Sequence, residues 1–419
     1  MQVEYDAASQ HCTLHCRQSC PPTPECADKQ PFLIPLTLGL LLPDGREQPL
    51  QLVGEAAPHG SSRTLLVTEA AQSFTFVGVE AAPIPSLLRD CSAPVILDYP
   101  YSAADEAFLM AHDTDPFNRW AASQRLAMRM LLAMVAGELP DVSLLADALR
   151  KLLADAQLDA ALKAEAMTLP SERDIAEASE VVHPAAIHRA REALKSQLAA
   201  QLEDALLALY DERAGISGRD DAAMQQRKLK NSALSLLAAL RSDAVLALVE
   251  RQFDAADNMS DQYAALRLLA AWETPARQRA LTAFAQQWRD DANVMDKWFA
   301  VQAAAPLPDT LAQVEQLMAH PQFTLRNPNK VRALIGTFAQ ANSVCFHAED
   351  GSGYDFVAAQ VLALDAINPQ IAARLARALV QWRRLEPQGR ARNRAALERL
   401  AEAPNLSPDL YEIVHKSLA

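Results

Sequence analysis

Apolar residues recur along the chain at two different periods, and the change falls near residue 100. Before it, short runs alternate or are continuously apolar and are bounded by Pro, Gly and Asp. After it, Ala, Leu, Arg and Glu follow one another with apolar positions three and four apart. The first pattern predicts strands at Cys12 to Arg17, Phe32 to Leu42, Thr64 to Thr68, Ser73 to Val79 and Val95 to Tyr99. Pro43-Asp44-Gly45 predicts a turn, because proline presets φ and glycine accepts a positive one, and the return through Pro49 to Val53 makes a hairpin. Short strands with no helix between them predict a β-sandwich over residues 1–100.

From residue 101 to 419 the pattern is helical. Asp115-Pro116, Thr274-Pro275, Asn327-Pro328, Asn368-Pro369 and Ser407-Pro408 each put a capping side chain before a proline, which suits the first helical position because its missing N–H has no intrahelical partner. Ser171 with Asp174 reads as a capping box. Buried stripes follow, as in Leu311, Val314, Leu317 and Met318, or Ile371, Leu375, Leu379 and Trp382. Many short helices joined by short loops predict an α-solenoid, a HEAT-like superhelix without a strict sequence period. Ala185 to Ala214 reads as a packed helix with a solvated face, in preference to a coiled coil or a membrane helix. The fold class expected is therefore mainly α, with a small N-terminal β-sandwich before a large helical domain.

The net charge of -13 excludes a nucleic-acid binder of the usual basic kind, since phosphate recognition needs a positive face. No apolar run reaches the roughly 18 residues that a spanning helix requires. The start Met1-Gln2-Val3-Glu4-Tyr5 lacks the basic and apolar pattern of a secretory leader, so a cytoplasmic location is expected, with the six cysteines reduced.

Two clusters invite a chemical reading. His11, Cys12, His15, Cys16, Cys20 and Cys26 resemble a metal knuckle. As a strand, however, the segment would put Cys12, Leu14 and Cys16 on one face and the histidines on the other, about 13 Å apart, and one ion cannot reach both faces. No metal ligand is assigned. Phe346 to Tyr354 gathers His347, Asp350 and Ser352, but without a Gly-x-Ser-x-Gly elbow the plainer reading is a turn at Asp350-Gly351, with Ser352 as N-cap and Asp355 completing a capping box. No Gly-x-Gly-x-x-Gly, phosphate loop or His-Glu-x-x-His occurs. Periodicity and spacing alone lead to a two-domain interaction or scaffold protein.

The order of several short words goes further. Lys29-Gln30-Pro31 leading to Ile34-Pro35, Ser92-Ala93-Pro94-Val95, Phe117-x-Arg119-Trp120, Val294 to Phe299, Asn327-Pro328-Asn329, Arg332, Leu334-Ile335-Gly336, the Phe346 to Tyr354 loop and Asn368-Pro369-Gln370 together resemble the C-terminal half of the aminopeptidase N (alanyl aminopeptidase) family of zinc metallopeptidases. In that family a β domain and a catalytic domain precede a β-sandwich and a helical domain that closes over the active site. The family's His-Glu-x-x-His helix, second zinc-binding Glu and Gly-x-Met-Glu-Asn motif have no counterpart here.

The resemblance therefore implies no catalytic residue and no cofactor in this chain, zinc in the full-length enzyme, a peptide as substrate, and a monomer inactive on its own. It implies that Arg332 and Arg374 lie on the chamber wall near the peptide's C-terminal side and that Gln370 reaches the pocket for its N-terminal side chain. On periodicity alone Arg374 borders its helix's apolar stripe and Arg332 follows Val331, positions equally suited to an ion pair or a snorkelling stem. A free-standing helical-repeat scaffold that binds a peptide or protein is the alternative.

Overall fold

The computed structural model describes residues 1–419, which divide into two compact units. The first comprises Met1–Met130 with Pro140–Leu169, and the second Leu131–Leu139 with Pro170–Ala419.

The first unit holds all six strands, β1 (Gln2–Asp6), β2 (His11–Arg17), β3 (Ile34–Leu41), β4 (Ser62–Val67), β5 (Ala71–Phe76) and β6 (Ile84–Leu87). They form two antiparallel three-stranded sheets, β1-β2-β5 and β4-β3-β6. Alternation sets the faces. Along β2, Cys12, Leu14 and Cys16 are buried, while His11, Thr13 and His15 lie outward, where Thr13 and His15 meet Thr75 and Ser73 across the strand at 3.0 and 2.9 Å. The histidines and cysteines thus occupy opposite faces, and burial pushes the Cys12 and Cys16 thiols up to about 11, which keeps them protonated.

The turn at Pro43-Asp44-Gly45 forms as expected, with Gly45 at φ +88°. The return strand differs. Gln48 N–H still bonds Leu40 O, but Pro49 lacks a donor and the chain crosses to the other sheet, where Val53 N–H meets Thr75 O and Val77 N–H meets Gln51 O. Val95 to Tyr99 is irregular instead of a strand, with Ile96 fully exposed and Pro94 and Pro100 flanking it. The two strands not foreseen, β1 and β6, are each paired on one side only.

β3 is central, and its second half is buried on both faces, Leu38 through Leu41. Gly39 makes this possible. The Arg89 guanidinium lies 2.3–2.5 Å from where a Cβ would stand, so only glycine leaves room for it. Arg89, 3% exposed, donates from Nη1 to Glu47 Oε1 (2.7 Å), from Nη2 to Asp113 Oδ1 (3.0 Å) and from Nε to Ser86 Oγ (2.8 Å). Around it, Asp115 accepts from the backbone N–H groups of Asp90 and Asn118, Asn118 donates to Ser86 Oγ and Leu87 O, and Tyr101 donates to Pro85 O. Within the first unit, these bonds join the end of β6 to the helix Ala103–His112 and to the first turn of the helix Pro116–Val135.

Forming this hub bends the chain sharply after β6. Leu88, Asp90 and Cys91 all adopt left-handed backbone, at φ 56°, 57° and 51°. Asp90 is exposed, and its N–H is the group Asp115 uses. Asp90→Gly should therefore stabilise the protein by about 0.5–1 kcal/mol in urea denaturation, because glycine carries no Cβ penalty at positive φ. A loss of stability would mean that the carboxylate itself holds the bend.

The second unit is a helical array. Its helices pack mainly on sequence neighbours: Pro184–Asp211 on Asp221–Leu237, Asp243–Ala255 on Met259–Ala270, then Pro275–Trp288, Ala292–Ala303 and Thr310–Met318 in succession. Caps follow the anticipated X-Pro starts. Asn327, Asn368 and Ser407 accept from Asn329, Ile371 and Leu410 N–H, and Ser171 with Asp174 forms a full capping box. Thr274 is the exception, its hydroxyl buried without a partner.

One set of contacts spans the array. Val182 pairs with Leu385, through Val182 N–H to Arg384 O (2.7 Å) and Glu386 N–H to Val182 O (3.0 Å). Arg384 Nη2 also donates to the carbonyls of Ala176, Glu177 and Ser179, capping the C-terminal end of the helix Glu172–Ala178. No helix is long and apolar enough to cross a membrane.

Candidate functional site

The words singled out in the sequence converge on a few helices of the second unit. Val294 to Phe299 lies in Ala292–Ala303, where Val294, Met295, Trp298 and Phe299 are buried. Asp296 pairs with Lys330 at 2.7 Å. Lys330 is itself 5% exposed, donates to Ala292 O at 3.0 Å and lies over the Phe299 ring. This ion pair ties the Val294 to Phe299 word to the Asn327-Pro328-Asn329 word.

Arg332 follows immediately. Asn327 caps the short helix Pro328–Val331, and the chain then widens into a π-turn over Arg332–Gly336 that buries Ala333, Leu334 and Ile335 and leaves Arg332 exposed. Such turns insert one residue into the helical register and recur at functional sites. Arg332 Nη2 donates to Asn329 Oδ1 at 2.8 Å, a neutral partner, so its charge is not matched by a carboxylate.

Gln370 and Arg374 lie one turn apart on Pro369–Ala376, whose Ala372, Ala373, Leu375 and Ala376 are buried. Both are exposed, and neither makes a hydrogen bond or ion pair. A structural ion pair for Arg374, one of the two plain readings of its position, is therefore not what holds it. Arg377 is also exposed, three residues beyond Arg374 and seven beyond Gln370, so the three share a face. That spacing would have found Arg377 in the sequence. Arg332 and Arg374 are not bonded to each other. The segment of Arg332 packs against Ala292–Ala303, whereas that of Arg374 packs against Ser352–Asp365 and Pro408–Leu418.

The loop of His347, Asp350 and Ser352 is structural. His347 Nδ1 sits 2.7 Å from the Tyr354 hydroxyl. Burial holds His347 down to about 4 and pushes Tyr354 well above its ordinary range, so near neutral pH the phenol donates to an uncharged imidazole. Ser352 donates to Asp350 Oδ1 at 2.7 Å and has no bond to the histidine. The cap differs from expectation: Gly351, at φ +82°, is the N-cap and Ser352 the first helical residue. Asp355 turns away to pair with Arg399. Gly351 takes a conformation serine would resist, and Asp350 supplies the capping oxygen.

Residues 103–419 match the family described as "Domain of unknown function (DUF3458_C) ARM repeats", and residues 1–100 match "Domain of unknown function (DUF3458) Ig-like fold". The chain belongs to the DUF3458_C family. The chain is 39% identical over 422 residues to Aminopeptidase N of Escherichia coli (strain K12), covering 99% of this chain and 48% of that protein. It is 37% identical over 423 residues to Aminopeptidase N of Haemophilus influenzae, again covering 99% and 48%. Among solved structures it is similar to Legionella pneumophila aminopeptidase A in complex with aspartic acid, with TM-score 0.84 and 28% identity, covering 100% of this chain and 48% of that one. The chain thus spans about half the length of the relatives it matches.

Proposed function

We propose that this chain is the chamber-walling half of a zinc-dependent aminopeptidase that removes N-terminal amino acids from peptides. Its helical array would exclude bulk water and folded proteins and hold the peptide beyond the scissile bond. The observation that supports this most is the pair Gln370 and Arg374, exposed and unpartnered side by side in a chain similar along nearly its whole length to aminopeptidases. Residues 1–100 and 101–419 serve as its β-sandwich and HEAT-like capping domains, in a cytoplasmic monomer.

No three His, Cys, Asp or Glu side chains come together here to hold a metal ion. The zinc, which would activate water against the first peptide bond, is therefore assigned to residues outside this chain. The task left to Arg332 and Arg374 is to bind the substrate's carboxylate or backbone carbonyls, for which a permanently charged, forked donor suits. Gln370 would face the N-terminal side chain.

In the complete enzyme, Arg332→Ala with Arg374→Ala should lower kcat/KM for di- and tripeptides by about 1.5–3 kcal/mol, the worth of hydrogen bonds to a charged group. Amino-acid anilides, which carry no carboxylate, should change much less. Equal losses on both substrate classes would indicate a structural role, and no loss on either would remove the pair from the site.

A further inference from the structure

Between the helices Pro275–Trp288, Ala292–Ala303 and Thr310–Met318 lies a cavity of about 350 Å³ that no part of the proposed function uses. Its apolar surface is Trp298 with Leu281 and Leu317. No charged side chain lines it, and the polar rim is formed by the neutral side chains of Gln278, Thr282, Gln313 and Gln316, of which Gln313 Oε1 already accepts from Arg277 Nη2. In a protein of net charge -13 that selection is informative, because it disfavours an ionic ligand on either sign.

The polar atoms at the base are fixed in orientation. The Trp298 indole N–H is already committed to Leu281 O at 2.9 Å, so tryptophan offers only its face. Gln302, 3% exposed, donates from Nε2 to Trp298 O at 2.9 Å. That bond fixes its amide and leaves Oε1 as an acceptor with no protein partner in the cavity wall. His320 packs against Trp298 with ring centroids 5.4 Å apart, and its Nδ1 accepts from Gln322 N–H at 3.2 Å. The ring proton is therefore on Nε2, and burial together with nearby Lys330 lowers the imidazole's pKa and keeps it neutral. One acceptor and one donor thus flank an aromatic platform.

We propose that this cavity binds a carboxamide group, laid on the Trp298 ring, with its N–H donated to Gln302 Oε1 and its carbonyl accepting from His320 Nε2. The amide comes either from the backbone of a short peptide or from an Asn or Gln side chain. The site is independent of the arginine surface and of where the zinc is held. Both could fail without affecting it.

The test is a titration of the intact chain carrying ¹⁵N-labelled tryptophan, with the Trp298 indole signal assigned by its loss in Trp298→Phe. N-acetylglycine N-methylamide represents the backbone, propionamide the side chain, and acetate and ethylammonium the charged controls. A saturable millimolar shift of the Trp298 signal with at least one amide, and none with the ions, is expected, and whichever amide binds more tightly identifies the source. Gln302→Met and His320→Phe should each weaken binding about fivefold to tenfold, as loss of one hydrogen bond does. Gln316→Arg, an exposed rim change that leaves the core untouched, should weaken it as well. No saturable shift with either amide, equal response to the ions, or unchanged affinity in folded variants would overturn the proposal.

Discussion

Arg89→Met should lower the unfolding free energy of the first unit by about 3–5 kcal/mol at neutral pH, the cost of leaving a buried charge without its partner. The side chain of Asp113 is fully buried and loses its cation, while Glu47, 19% exposed, keeps its bonds from Ser61 and Thr114. The pH dependence identifies the mechanism. Burial already holds the Asp113 carboxyl above its ordinary range, with Ser86 and Arg89 pulling it down. A raised folded-state pKa means the native protein keeps the proton at pH values where the unfolded chain has released it, so stability falls as pH rises through that window. Removing Arg89 extends the window upward. The deficit in urea denaturation should therefore be greatest near neutrality and shrink as the pH falls toward about 4, where the unfolded carboxyl is protonated too. A loss below about 1 kcal/mol, or one independent of pH, would show that the hub is held by its hydrogen bonds and packing alone.

Gly353→Ala should destabilise the second unit by about 3 kcal/mol, the upper end of what overpacking usually costs. A Cβ there would stand 2.4 Å from Phe346 O, 2.6 Å from Cys345 O and 2.7 Å from Phe346 Cα, all backbone atoms that cannot rotate away. The helix Ser352–Asp365 would have to move off the short helix Ser343–Phe346, stretching the 2.7 Å contact between His347 and Tyr354. Gly336→Ala provides the control. Its Cβ would meet Arg332 Cγ at 3.7 Å, ordinary van der Waals contact, so the change should stay within about 1 kcal/mol and favour the helix. Similar melting shifts for the two variants would refute the steric account.

What could be read from the chain beforehand follows the range of the forces involved. Local chemistry was legible: the X-Pro helix starts, the Ser171 capping box, and the two faces of β2 all come from residues within one turn or one pleat of each other. Val95 to Tyr99 failed because an apolar run becomes a strand only when its backbone pairs along its length, and no strand pairs with it. β1 was missed because none of its residues is fully buried, and β6 because it is four residues long and contains Pro85. Arg332, Gln370 and Arg374 came from resemblance, while their exposure and the lack of an ion-pair partner for either arginine needed coordinates. The cavity floored by Trp298 brings together Gln302, on the helix Ala292–Ala303, and His320, in the turn after Thr310–Met318, and no period in the sequence encodes that.

The contact between Val182 and Leu385, with Arg384 closing the carbonyl end of Glu172–Ala178, bears on how the protein is made. An open stack of repeats can complete its early helices as they leave the ribosome. Here the carbonyls of Ala176, Glu177 and Ser179 wait for a guanidinium that is synthesised more than two hundred residues later. Until then the helix Glu172–Ala178 lacks the guanidinium that closes its C-terminal end. Chains truncated before Arg384 should therefore lose protection first around Glu172–Ala178, at the far end of the array.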